Sequence, residues 1–316
     1  MLSVAVVFTD NRYLRRSRRR NAGTTEDGGG IVELLLILAM NGLVWGLIIA
    51  LIALGLSIIF GLLDIINVAH GDFFMVGTVI AWTLIQYTDN FWIAFLIVPV
   101  IGFVLGSLIE RGVMRPIENS AALSIVATFG LSLILQESVR ATFGATPKRI
   151  LDPIGLTVPV LNLDYQVYRL FAAAVAIVAI AAFFVFLHKT KFGTWMRAVR
   201  QDREMAIAMG VPAQTVFIVT FGLGTALAML GGVVAAPITT VEFRLGLDVL
   251  PLCFMAVIIG GLGNLPGTAA AAVLLAFMEG IITSFAEPTT ARIVSLILMS
   301  VVLLLRPQGI FARSAG

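Results

Sequence analysis

Residues 34–60, LLLILAMNGLVWGLIIALIALGLSIIF, contain no Asp, Glu, Lys or Arg. A helix needs about 20 apolar residues to cross a hydrocarbon layer of about 30 Å, and this run is longer than that. The rest of the chain is similar in character. The AVILMFWYC set makes up 59% of the 316 residues, charged residues 12%, and mean hydropathy is +1.02. Soluble domains carry about 25% charged residues. A soluble fold of this length cannot hide so much apolar surface. The composition excludes an ordinary cytoplasmic enzyme, a disordered chain and a disulfide scaffold. It predicts an all-α polytopic membrane helix bundle.

Outward from 34–60, further apolar segments run over 73–88, 91–109, 121–139, 168–187, 213–236, 249–263, 268–286 and 290–305. The expectation is eight or nine transmembrane helices, some discontinuous or re-entrant. No alternation is long enough for a barrel, and no solenoid period appears. The single cysteine, Cys253, rules out an intrachain disulfide, and its apolar surroundings assign it to packing. The basic residues are dispersed, so the net charge of +3 does not point to nucleic acid.

Residues 1–30 read as a flexible basic arm, with Arg15, Arg16, Arg18, Arg19 and Arg20 followed by a small, Gly-rich stretch. Its order is the reverse of a secretory signal. It is either an arm for anionic headgroups or a spurious start, with the protein beginning near Met40. The transmembrane body then covers 31–312. Lys and Arg collect on the cytoplasmic side. The loop 188–212, with Lys189, Lys191, Arg197, Arg200 and Arg203, is separated by even numbers of spans from Arg111/Arg115 and from Arg306/Arg313. All three sets can therefore be cytoplasmic. The loop 140–167 fits the outside. Three spans before Arg111 would place the basic arm outside, unless one early segment enters the membrane and returns.

Three motifs carry the functional reading. In GLLDIINVAHGD, residues 61–72, Asp64, Asn67, His70 and Asp72 interrupt two apolar runs, and Gly61 and Gly71 permit a broken helix. It is either a solvated interfacial turn or a discontinuous helix beside a translocation path. In GGLGNLPG, residues 260–267, Gly260, Gly261, Gly263 and Asn264 form either a tight turn between hairpin helices or a mobile bend. The Lys and strand context of a phosphate loop are missing. In KFGTWMRAVRQDREMAIAMGVP, residues 191–212, Trp195, Val199, Asp202, Ala206 and Met209 fall along one helical face. Asp202 can cap a short helix, and Gly210 with Pro212 is a helix stop. One or two short helices are expected, either lying on the membrane surface or acting as a docking helix of about 13 residues, some 20 Å long.

These residues resemble the branched-chain amino acid permease family of ATP-binding-cassette importers, of the LivH type. The resemblance runs from about Met40 to Arg313. It is carried by INVAHGD (66–72, where the family usually ends in Glu), ATFGLS (127–132), RAVRQD (197–202), Ala206 with Gly210-Val211, GGLGNLPG (260–267) and LRPQG (305–309). It implies a permease subunit, not an enzyme, in the bacterial inner membrane. Its coupling segment would include Arg197, Asp202, Glu204, Ala206 and Gly210. The translocation path would draw on Asn67, His70, Gly71, Asp72, Thr128, Gly130 and the 260–264 glycine turn. The implied partners are two cytoplasmic ATP-binding subunits, a second permease subunit, a periplasmic or extracellular solute-binding protein and the lipid bilayer, with no nucleic acid. The chain has no ATP-binding loop of its own, so it binds no cofactor and no metal, and ATP-Mg belongs to the partners. Glycines 222, 224, 231 and 232 would let helices slide.

The expected cargo is a branched-chain or other small hydrophobic amino acid. Urea or a short amide is the alternative within the family. An ion-coupled secondary transporter would instead use paired intramembrane acids, for which Glu137 and Glu279 are the candidates. A membrane enzyme would have only Asn67, His70 and Asp72 to work with.

Overall fold

The computed structural model describes residues 27–117, 120–160, 163–283, 285–306 and 309–311. Eleven α-helices dominate the described residues. They are α1 (Asp27–Leu63), α2 (His70–Thr88), α3 (Phe91–Ile109), α4 (Ala121–Phe143), α5 (Val167–Lys189), α6 (Lys191–Gln201), α7 (Arg203–Ala208), α8 (Ala213–Ala235), α9 (Leu245–Gly260), α10 (Leu265–Ile282) and α11 (Pro288–Leu305). A π turn, Glu110–Met114, and a 3-10 turn, Arg115–Ile117, extend α3. One antiparallel hairpin, β1 (Thr157–Val160) and β2 (Leu163–Gln166), interrupts the 140–167 loop. Residues 27–30, expected in the arm, belong to α1; the remainder of the arm and residues 312–316 lie outside the described residues.

Among the described residues, six helical segments are long and apolar enough to cross a membrane: Leu35–Leu63, Phe91–Ile117, Ala122–Phe143, Val167–Lys189, Ala213–Ala235 and Leu265–Ile282. Two shorter apolar helices, Leu245–Gly260 and Thr289–Leu305, accompany them. Their surroundings differ. The most apolar window of Leu35–Leu63 is 78% buried within the protein, against 22% for those of Ala122–Phe143 and Val167–Lys189. Helices α1 and α8 therefore form the protein centre, while α4 and α5 turn apolar side chains such as Val126, Ile134 and Val178 outward, where lipid is the fitting solvent.

Long-range contacts fix the sense of each helix. Ser57 meets Thr268 (Oγ–Oγ1 3.2 Å), and Gly42 meets Gly280, so α10 runs antiparallel to α1. Arg115 Nη2 donates to Gln214 Oε1 at 2.6 Å, placing the end of α3 beside the start of α8. Tyr168 donates to the Val234 carbonyl at 2.8 Å, which joins the start of α5 to the end of α8. The basic end thus carries the end of α1, the α3 extension, α6, α7 and the 260–264 turn. The far end carries the β-hairpin.

Two four-helix units of opposite sense emerge: α1–α4 and α8–α11. Helix α1 packs on α10 as α8 packs on α3, and α2 packs on α8 as α9 packs on α1. The equivalent helices also cross each other. At the α1–α8 crossing, a Cβ on Gly55 would strike the Gly224 carbonyl, and one on Gly224 would strike the Gly55 carbonyl. At the α2–α9 crossing the same reciprocity holds for Gly71 and Gly246. Between apolar helices in lipid there is little hydrophobic gain, so close backbone approach at small residues supplies the packing. The glycines at 222, 224, 231 and 232, expected to let helices slide, are in tight contact with neighbouring helices.

Candidate functional site

The chain breaks between α1 and α2, over residues 64–69. The break does not fall at Gly61 or Gly71, as expected, but at Asp64, whose φ is +52°. Asp tolerates this left-handed conformation better than most residues. The two glycines serve close approach instead, Gly61 to Gly263 and Gly71 to Gly246. After Leu63 the chain turns back into the bundle. His70, the first residue of α2, bonds through Nε2 to the Ile52 carbonyl at 2.9 Å. Ile52 lies eleven residues above Leu63 on α1, about 16 Å at 1.5 Å per residue. Six extended residues reach about 20 Å, enough for this climb. So α2 starts in mid-bundle, well short of the end of α1. The segment 236–244 precedes α9 in the same way, with Thr239, Thr240 and Val241 buried, and the first turns of α2 and α9 meet at Gly71 and Gly246.

Non-helical backbone at this depth must find partners inside the protein. Thr128 of α4 supplies them. Its hydroxyl accepts from the Val68 amide at 3.2 Å and lies 3.2 Å from the Ile66 carbonyl and 2.8 Å from that of Ser124. Removing it strands a partly buried amide, at a cost of up to about 1–3 kcal/mol. Thr128→Val is expected to lower the thermal midpoint of the purified protein, and Thr128→Ser to keep it. Equal midpoints for all three proteins would refute this role.

Two turns further along α4, Gln136 Nε2 donates to Asp72 Oδ1 at 3.0 Å and lies 2.9 Å from Ser132 Oγ. Asn67, His70 and Asp72 are all fully buried. Neither end of the Asn67 amide has a hydrogen-bond partner, nor does Nδ1 of His70. The structure therefore brings together Asn67, His70, Gly71, Asp72 and Thr128. Gly130 stands apart, and a Cβ there would meet nothing. Sequence reading missed Ser132, Gln136, Gly246 and the Ile52 carbonyl. Gln136, a lone amide in an apolar run, and Ser132, the last residue of ATFGLS, offered some signal.

The glycine turn is elsewhere, at the basic end. Asn264 caps α10, accepting from the Gly267 amide at 3.2 Å, and its Nδ2 donates to the Phe311 carbonyl at 2.5 Å. Gly261 and Gly263 have φ of +93° and +75°. Gly309 packs on Gly261, and the Ile310 amide donates to the Ile259 carbonyl at 2.8 Å. Gly260 packs against Gly267 and Thr268. This is a tight interhelical turn clasped by the C-terminal residues. Arg200 lies against Gly263, so the glycine turn touches α6.

The 191–212 segment is two helices, not one continuous face. Asp202 is extended (φ −155°) and ends α6. Its carboxylate then accepts from the Met205 amide at 2.9 Å and caps α7. The break re-aims the face read from the sequence. Val199 and Ala206 are buried, whereas Met205, Ile207 and Met209 are exposed at 60%, 50% and 78%. Helix α7 closes with Gly210 at φ +82°, the Gly210 amide donating to Ile207 and the Val211 amide to Ala206, a paired C-terminal lock. Arg197 turns back, donating to the Leu187 carbonyl and to Thr194 Oγ1 (3.3 Å). Glu204 is exposed.

Glu137 and Glu279, the candidate proton pair, are not brought together. Glu137 pairs with Arg140 on an exposed face at 3.2 Å. Glu279 is buried, with Arg292 and Ser295 as its neighbours.

An apolar bundle of two inverted halves, with α2 and α9 meeting at a buried polar cluster, defines a multi-pass membrane transport protein. Residues 38–303 match the family model described as branched-chain amino acid transport system / permease component, and the chain belongs to this family. It is a transport subunit rather than an enzyme. It is 28% identical to the high-affinity branched-chain amino acid transport system permease protein LivH of Salmonella typhimurium over 290 residues, covering 86% of this chain and 94% of that one. It is 27% identical to the corresponding protein BraD of Pseudomonas aeruginosa, covering 87% and 94%. A probable branched-chain amino acid transport permease protein LivH of Methanocaldococcus jannaschii is 27% identical, covering 85% and 90%. No solved structure matches.

Proposed function

We propose that this chain is the membrane-spanning half of an ATP-driven importer that moves branched-chain or other small hydrophobic amino acids across the bacterial inner membrane. The family match along nearly the whole bundle carries the reading. Nine helices, α1–α5 and α8–α11, cross the bilayer wholly or in part, with α2 and α9 discontinuous. The basic end is cytoplasmic. There α6 and α7 form the coupling segment, and the exposed Met205, Ile207 and Met209 with Glu204 dock in a cleft of an ATP-binding subunit. Two such subunits hold ATP-Mg. A second permease subunit completes the path, and a soluble binding protein delivers the substrate at the far end.

Closure of the ATPase pair displaces α7. Asp202 and Gly210 fix α7 at both ends, so the displacement reaches α6. Arg200 passes it to the glycine turn, and hence to α9 and α10. The bundle changes state only insofar as the two states bind the ATPase differently.

The test is to purify the chain with its neighbours and reconstitute it. Copurification of two ATP-binding subunits is expected, together with leucine uptake that needs ATP and the binding protein. Uptake driven by a proton gradient without those subunits would make it a secondary transporter. Uptake of urea in preference to leucine would move the cargo to the short amides.

A further inference from the structure

The acids that open α2 and α9 meet different partners. Helices α2 and α9 each carry an acid in the first turn, Asp72 and Asp248, one position out of register when Gly71 is matched to Gly246. Each acid is met by the last helix of its own half. Asp248 meets a cation: Arg292 Nη1 of α11 lies 3.8 Å from its Oδ1. Asp72 meets only neutral groups, the Gln136 amide at 3.0 Å and the Ser132 hydroxyl. It is 1% exposed, and among the described residues no cationic side chain pairs with it.

A buried carboxylate without a counter-charge is costly. Helix α9 offsets part of that cost. A Cβ on Gly246 would lie 2.6 Å from Asp72 Oδ1, so the carboxylate rests against the first turn of α9. A helix N-terminus presents about half a positive charge there. That suffices to hold the acid in place and leaves its charge unmatched. Within five residues of it in the chain, the buried side-chain amide of Asn67 and Nδ1 of His70 have no partner. Native interiors seldom leave such atoms unpaired, and a site that receives a polar guest is one reason to do so.

We infer that Asp72 is a substrate-positioning residue that receives the ammonium group of the transported amino acid in mid-bundle. The inference rests on the importer reading above and names the chemistry within it. A zwitterion's ammonium supplies the charge that Arg292 supplies to Asp248. The amide of Asn67, on the same chain break, is left for the carboxylate. A free aliphatic tail then lies among apolar helix faces.

The experiment uses the full complex in proteoliposomes. Asp72→Asn is expected to lower ATP-driven leucine uptake at least tenfold, and Asp72→Glu to restore part of it. A merely structural role is separated by analogues added to the wild-type complex without its binding protein. Leucine and leucinamide, which keep the ammonium, are expected to raise the thermal midpoint. 4-Methylpentanoate, which lacks it, is not. Wild-type uptake by Asp72→Asn, or an equal shift with 4-methylpentanoate, overturns the inference and leaves the importer reading standing. If neither variant inserts, the analogue comparison decides. Uptake that needs no ATP-binding subunit overturns the importer reading instead.

Discussion

Replacing Gly210 by Asp, or Glu204 by Lys, is expected to cut ATP-driven uptake at least tenfold while the protein still inserts and folds. Both residues lie in α7 or its closing turn, away from the packed bundle. A Cβ on Gly210 would meet no atom within 4 Å, so the substitution meets no steric block. Its cost is conformational. At φ +82° an L side chain is disfavoured by up to about 1–2 kcal/mol, less for Asp than for most residues, and the lock made by the Gly210 and Val211 amides weakens. Glu204 is exposed, so reversing its charge leaves the core untouched and changes only what a partner meets. Uptake and substrate-stimulated ATP hydrolysis, measured on the same proteoliposomes, give the answer. Variants that transport like the parent would remove α7 from the coupling path.

Gly55→Leu is expected to prevent assembly of the bundle. The backbones of α1 and α8 touch at Gly55 and Gly224, and the clash is with a carbonyl of a central helix rather than with a side chain that can swing away. Overpacking a core costs about 1–3 kcal/mol and occasionally more. Here both helices would have to separate, and with them the crossing of α2 and α9. Size-exclusion profiles of detergent extracts should show loss of the monodisperse species. Gly130→Ala is the comparison, because its Cβ meets nothing. There the change is neutral or gains up to about 1 kcal/mol of helix propensity. Equal behaviour of the two variants would refute the crossing as the point of closest packing.

Most helices were legible because lipid imposes a simple requirement. Long uncharged runs such as 34–60 and 168–187 have one stable form in hydrocarbon, and α1 and α5 follow them to within a few residues, α1 apart from its N-terminal extension. The capping role of Asp202 was also legible, since caps are decided by neighbours in sequence. What that cap does to the face was not. An extended Asp202 ends α6, and the helical register that joined Trp195 to Met209 is lost at that residue. The glycines were read as conformational. Several of them are contact residues, and no local signal tells a glycine that must bend from one that must be touched.

The sequence by itself determined a lipid-embedded helical protein, its family and the place of its polar interruptions, because hydropathy and short motifs are properties of adjacent residues. Only the tertiary structure decided that α1–α4 and α8–α11 run as inverted equivalents. Their likeness lies in how helices cross, at Gly55 with Gly224 and at Gly71 with Gly246, and crossings join residues far apart in the chain. The same folding sets Asp248 beside a cation and Asp72 beside an amide. That difference is a matter of which helix arrives next to each acid, which no reading along the chain can supply.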